Sequence, residues 1–207
     1  MIIGIDISSV AYGTGVSNYT LNLVRNLVKI DKKNIYKLFF SSLRQPLPPE
    51  IKIIAKSSNV ELYRHRLPPT LLQILWNKLH ILPIELFIGK CDLFHTSDWT
   101  HPPTLKAKTI TTVHDMTPFL YPQWLHPKIV TAHHNKFRQA LRHCHFYICV
   151  SQSTKNDLLK VFPQINPHQT SVIYEAAENK YDKFLKLKTQ DQEKKKASIL
   201  KQYGLNH

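Results

Sequence analysis

Ile2-Ile3-Gly4-Ile5-Asp6-Ile7, then Gly13-Thr14-Gly15, then Val16-Ser17-Asn18-Tyr19: these first nineteen residues decide the fold. The opening run is near-continuous in β-branched side chains, which reads as a strand buried on both faces. Residues 17–30 follow with apolar side chains at helical spacing: Leu23, Leu27 and Ile30 on one face, with Val24 and Val28 beside them. A glycine turn joining a buried strand to an amphipathic helix is the first half of a strand–helix–strand unit.

The same alternation runs on through the chain. Short apolar runs at residues 35–40, 60–63, 93–95, 109–113, 146–150 and 171–174 read as strands. Between them, Pro68-Pro69 opens a helix expected to bury Leu71, Leu72, Leu75 and Leu79 until Pro83 interrupts it. Residues 128–144 read as a helix with Val130, Phe137, Ala140, Leu141 and Cys144 inward and Lys136, Arg138 and Arg142 outward, and residues 153–162 as another. The expected class is α/β: a Rossmann-like, mostly parallel sheet with helices on both faces. One domain is expected over residues 1–178. Lysines crowd into residues 179–207, which read as a polar linker leaving it.

With 207 residues the chain is long enough to bury a full-sized core, and 43% hydrophobic against 20% charged residues excludes general disorder. Twenty-eight basic side chains against 14 acidic ones give +14, which favours anionic partners: nucleotide diphosphates, acidic lipid surfaces or nucleic acid. No run reaches the ~18–20 apolar residues of a membrane span, and the N-terminus lacks the features of a secretion signal. Cys91, Cys144 and Cys149 are too widely spaced for a zinc clip or a disulfide framework, so a reducing cytoplasm is the expected compartment. His133-His134 and His143-Cys144-His145 lack metal-ligand spacing, and no metal is expected.

Polar residues gather where strands end, the edge at which such sheets bind ligands. Gly13, Thr14 and Gly15 could let backbone approach a phosphate at a helix N-terminus, or could simply form a turn needing positive φ. Asn18 stands where the dinucleotide fingerprint has its third glycine, and no phosphate-binding lysine follows. His114-Asp115 closes one strand as either a functional pair or a half-buried histidine beside a capping aspartate. His95, Ser97, Asp98 and Trp99 follow another strand, placed either to reach sugar hydroxyls or as a surface turn. Ser151 and Ser153 begin a helix, where N-capping is the leading role. No Gly-x-Ser-x-Gly elbow surrounds them. The basic face of helix 128–144 reads as solvated charge, or as a surface for anionic headgroups with Trp124 and Phe137 nearby.

In this order, the stretches Gly13 to Leu23, Cys91 to Asp98, Thr111 to Pro118, Ile148 to Leu158 and Ser171 to Glu175 resemble the N-terminal domain of family 4 (group 1) glycosyltransferases of the GT-B fold. One departure is Glu175-Ala176 where the family has Asn-Gly or Asn-Ala. The resemblance implies transfer of a hexose from a nucleotide sugar to a glycan or lipid-linked acceptor, with retention of configuration and without metal or cofactor. It implies that Gly13, Thr14 and Gly15 face the donor diphosphate and that His114 and Asp115 are catalytic. It also implies that Asn18, His95, Asp98 and Ser151 face the acceptor or sugar. The donor-binding half is expected beyond residue 207, so the chain by itself is expected to be inactive, either as part of a longer enzyme or as a partner of a separate C-terminal domain. The expected location is the cytoplasm, peripherally on the inner face of the plasma membrane. No nucleic-acid-binding motif is present.

Overall fold

Each strand lies parallel to its neighbour in one seven-stranded sheet of order β3-β2-β1-β4-β5-β6-β7. The strands are β1 (Ile2–Asp6), β2 (Ile35–Ser41), β3 (Val60–His65), β4 (Leu93–Thr96), β5 (Lys108–Val113), β6 (Phe146–Cys149) and β7 (Thr170–Val172). The structure is a computed structural model that describes residues 1–176 and 189–204. Because β1 lies between β2 and β4, the chain's winding reverses direction there, and the loops leaving β1 and β4 diverge to open a crevice. The fold is Rossmann-like, as the sequence pattern predicts.

Among the described residues, seven α-helices accompany the sheet: α1 (Gly15–Ile30), α2 (Pro49–Ile54), α3 (Pro69–Leu72), α4 (Glu85–Ile88), α5 (Thr117–Leu120), α6 (Pro127–His143) and α7 (Gln152–Val161); a further helix, α8 (Thr189–Gln202), follows later in the chain. Alternation along β2 divides the core: Tyr36, Leu38 and Phe40 pack with Val24, Val28 and Ile51, while Phe39 points the other way to Trp76, Ile88 and Phe94. A third cluster gathers Val113, Met116, Phe137, Tyr147 and Leu158 beneath β5 and β6. Gly4 is required by close packing, because a Cβ there would lie 2.6 Å from the Phe94 ring and 2.8 Å from Ile88. The described chain divides into two units, Met1–Tyr174 and Glu175–His207. In the second, α8 buries no side chain. The expected boundary at residues 178–179 and the final run 205–207 lie outside the described residues.

Several side chains depart from the expected pattern. Lys136, expected outward, is only 1% exposed. Helix α6 packs on the segment Gln73–Lys78 as well as on the sheet, so its buried stripe widens to include Ala132, Lys136 and Gln139. The Gln139 amide donates to the Asn77 carbonyl at 3.0 Å across this contact. Leu71 and Leu79, expected in the core, lie at the surface. After Leu72 the helix continues at Gln73–Lys78 with the wider π-type turn, which rotates the apolar stripe and brings in Trp76 and Asn77. Ile30, at the last turn of α1, is 76% exposed because the core face of that helix centres on Val24 and Val28.

Candidate functional site

The carboxyl ends of β1, β4, β5 and β6 set the site. Asp6 is the last residue of β1 and is buried beneath the crevice. Its Oδ1 accepts the Ser8 N–H at 2.9 Å and its Oδ2 accepts the Thr100 hydroxyl at 3.4 Å. Burial raises its carboxyl above the ordinary value, only partly offset by these donors. A 3-10 turn (Ser8–Tyr12) leads to Gly13 at φ 67°, the left-handed conformation that ends the turn. Thr14 then caps α1 through a reciprocal box: the Ser17 N–H donates to the Thr14 hydroxyl, and the Thr14 N–H donates to the Ser17 hydroxyl. The Gly15 and Val16 N–H groups, in the first turn, have no acceptor among the described residues. A Cβ on Gly15 would meet nothing within 4 Å, so backbone there is open to an approaching group.

From β4 and β5 come three residues that share a cavity of ≈ 20 Å³ with Asp6: His95, Asp98 and His114. That volume is enough for about one water. His95 Nε2 lies 2.9 Å from the Thr112 hydroxyl, and the Tyr19 hydroxyl lies 3.1 Å from that same oxygen. Burial, then Lys136 and His114, push His95 down to about 4, so it is neutral at pH 7. The His114 ring meets Tyr19 edge-on at 4.8 Å. Asp98 faces His133 at 3.8 Å. Burial outweighs the pull of Asp98 and lowers His133, so at neutral pH this is a neutral imidazole against a carboxylate, not an ion pair.

Asp6 also borders a cleft of ≈ 540 Å³ at the winding reversal, which shares Asp98 with the small cavity. Its walls include Ser8, Tyr12, Thr14, Leu72, Asp98 and Trp99. Among the described residues, no lysine or arginine lines it.

The structure thus brings together His95, Asp98 and His114 around one small cavity, with Thr14 in the adjoining cleft. Asn18 is exposed on α1 and donates its N–H to the Thr14 carbonyl. Asp115 accepts the Thr117 N–H at 2.7 Å, so it holds the turn after β5. Ser151 caps α7, accepting from the Thr154 N–H at 3.0 Å with its hydroxyl 2.9 Å from that of Thr154. Among the described residues no three His, Cys, Asp or Glu side chains are grouped to hold a metal ion.

The sequence pattern of Glycosyltransferase Family 4 matches residues 13–178. The chain belongs to that family. Among solved structures, the crystal structure of a glycosyltransferase from Rickettsia africae ESF-5 is similar, with 16% identity and a TM-score of 0.49; the match covers 100% of this chain and 50% of that one. The family 4 chain therefore spans about half the length of that structure. No curated protein matches it.

Sequence reasoning missed Asp6, Tyr19 and Thr112 in this family 4 domain. The signal for Asp6 was available, since a carboxylate at a strand's carboxyl end is as conspicuous as His114. It was absorbed into the apolar run around it. Thr112 and Tyr19 gave none, because their meeting depends on the packing of α1 against β5.

Proposed function

We propose that this domain binds the acceptor in a retaining hexosyltransferase whose nucleotide-sugar donor is held chiefly by a second domain, in the GT-B arrangement. The observation that carries this reading is the lining of the cleft. A nucleoside diphosphate needs cationic side chains to offset its charge, whereas this cleft offers two carboxylates, several hydroxyls and the apolar surfaces of Tyr12, Leu72 and Trp99. Such a surface suits an uncharged polyol carrying an apolar portion, the chemistry of a glycan or lipid-linked acceptor. The first turn of α1 supplies two free N–H groups to the edge of the diphosphate, and the second domain supplies its cations.

In the reaction the bond from the anomeric carbon to the diphosphate oxygen breaks and a bond to the acceptor hydroxyl oxygen forms. The hydroxyl proton leaves with the nucleoside diphosphate. His114 lies beside the reacting carbon and Asp6 and Asp98 orient the incoming hydroxyl.

Backbone amide spectra of the 207-residue chain test the reading. Octyl β-glucoside is expected to shift the amides of Thr14, Ser97 and Trp99 saturably, while UDP and GDP leave them unmoved to millimolar concentration. Micromolar binding of either nucleotide at those amides, or multiple turnovers of a nucleotide hexose by the chain alone, overturns it.

A further inference from the structure

At the opposite, amino-terminal edge of the sheet lies a second cavity of ≈ 530 Å³, on the far side from the acceptor cleft. It is lined by His80, Arg142, His143 and His145, with Thr109 and Gln169, and among the described residues no carboxylate lines it. The imidazoles are organised: the His80 and His143 rings stack at 4.3 Å, 16° from parallel. Behind them His101 continues the stack, 6.5 Å from His80 at 12°. His101 is fully buried, and neither of its ring nitrogens has a hydrogen-bond partner. A buried polar side chain left so is rare in folded proteins; His101 backs the stack and does not itself line the cavity.

The donors can be assigned from their partners. His145 Nδ1 accepts the Thr109 N–H at 3.2 Å, which leaves its Nε2 carrying the proton. His80 Nδ1 faces the Trp76 carbonyl at 3.0 Å and must donate to it, so its Nε2 is available to a proton or to an acidic P–OH. Arg142 adds a planar fork of N–H groups suited to an oxyanion. His80 adopts this position at φ 52°, left-handed for a non-glycine residue.

We propose that this cavity is a binding site for a phosphate or phosphomonoester group, held by Arg142 and the His80–His143–His145 cluster. The site is separate from the acceptor cleft and does not depend on the reading of that cleft.

Titration of the full chain with inorganic phosphate, followed through its amide spectrum, is the test. Phosphate is expected to shift Arg142, His143, His145 and Gln169 saturably and to leave Thr14 and Trp99 in place. Arg142→Gln, at an exposed position, is expected to raise the Kd at least tenfold, and His143→Gln to raise it severalfold. Absence of saturable shifts, or equal affinity in both variants, overturns the proposal, as does saturation of the same amides by Ni²⁺ in place of phosphate. Vesicles containing phosphatidic acid separate the two sources of such a group. At a salt concentration that releases the chain from vesicles of other anionic lipids, sedimentation with the phosphatidic acid vesicles that is lost in Arg142→Gln identifies a lipid headgroup, and no sedimentation alongside phosphate binding weakened in that variant identifies a soluble phosphomonoester.

Discussion

Neutral His95 couples the candidate site to acid stability, and the coupling can be measured. Its folded imidazole titrates at about 4 against an ordinary 6.5, chiefly because burial opposes its charge. The unfolded chain therefore takes up a proton as pH falls through 6.5 while the folded chain does not, and stability drops. Above pH 7 the contribution is whole; between pH 7 and pH 5 this single group removes about 2 kcal/mol, using ~1.4 kcal/mol per pKa unit. At a urea dependence of about 2 kcal/mol per molar, the unfolding midpoint falls by about 1 M from this residue. His101 is lowered in the same direction and adds to the drop. Asp6, raised by burial, works oppositely, since the folded form takes its proton first. Comparing the wild-type chain with His95→Gln subtracts both. Glutamine keeps a polar group towards Thr112 but does not titrate. Urea melts of the two proteins at pH 7 and pH 5 are expected to show about 2 kcal/mol less acid destabilisation in the variant. Identical pH dependence in the two would refute the reasoning.

Three further outcomes are expected. In an enzyme containing the donor-binding domain, His114→Ala is expected to lower kcat by ~100-fold or more, on the scale of a lost transition-state contact; near-normal kcat with intact circular dichroism removes His114 from the reaction. Gly15→Val, where a Cβ meets open space, is expected to change folding stability by no more than about 0.5 kcal/mol yet raise the KM for the nucleotide sugar, as steady-state kinetics with a thermal melt will show. With a net charge of +14, the chain is expected to sediment with anionic vesicles at low salt and to release at high salt as screening shortens the reach of its charge; salt-independent sedimentation, or none at low salt, counts against it.

The sheet was legible because most of its strands are short runs rich in β-branched or aromatic side chains, and each expected strand is present within a residue or two. The helix after Pro69 was not fully legible, since a π-type turn leaves no mark in apolar spacing and reassigns burial from Leu79 to Trp76 and Asn77. Lys136 was misread for a related reason: a charged side chain on a basic helix is ordinarily solvated, and only the packing of a second segment on α6 encloses it. Within the site, strand ends drew attention to His95, Asp98 and His114, which the fold does gather. The cap residues Asp115 and Ser151 looked the same from the sequence, since a strand-end polar side chain serves a turn or a ligand with equal ease. The cavity at the amino edge was invisible, because His80 and His143 lie sixty-odd residues apart and nothing local pairs them.

The lining of the cleft, which holds no lysine or arginine among the described residues, also bears on how small molecules would act here. On the acceptor-binding reading proposed above, a nucleotide mimic would gain little from this domain, and screening with charged analogues would select against compounds that occupy the cleft. An uncharged amphiphile with an aromatic face for Trp99 and hydroxyls for Asp6 and Asp98 fits its lining. If the cleft binds the acceptor as proposed, such a compound would compete with it and be indifferent to donor concentration. It would also tell apart enzymes that share a sugar donor but glycosylate different targets.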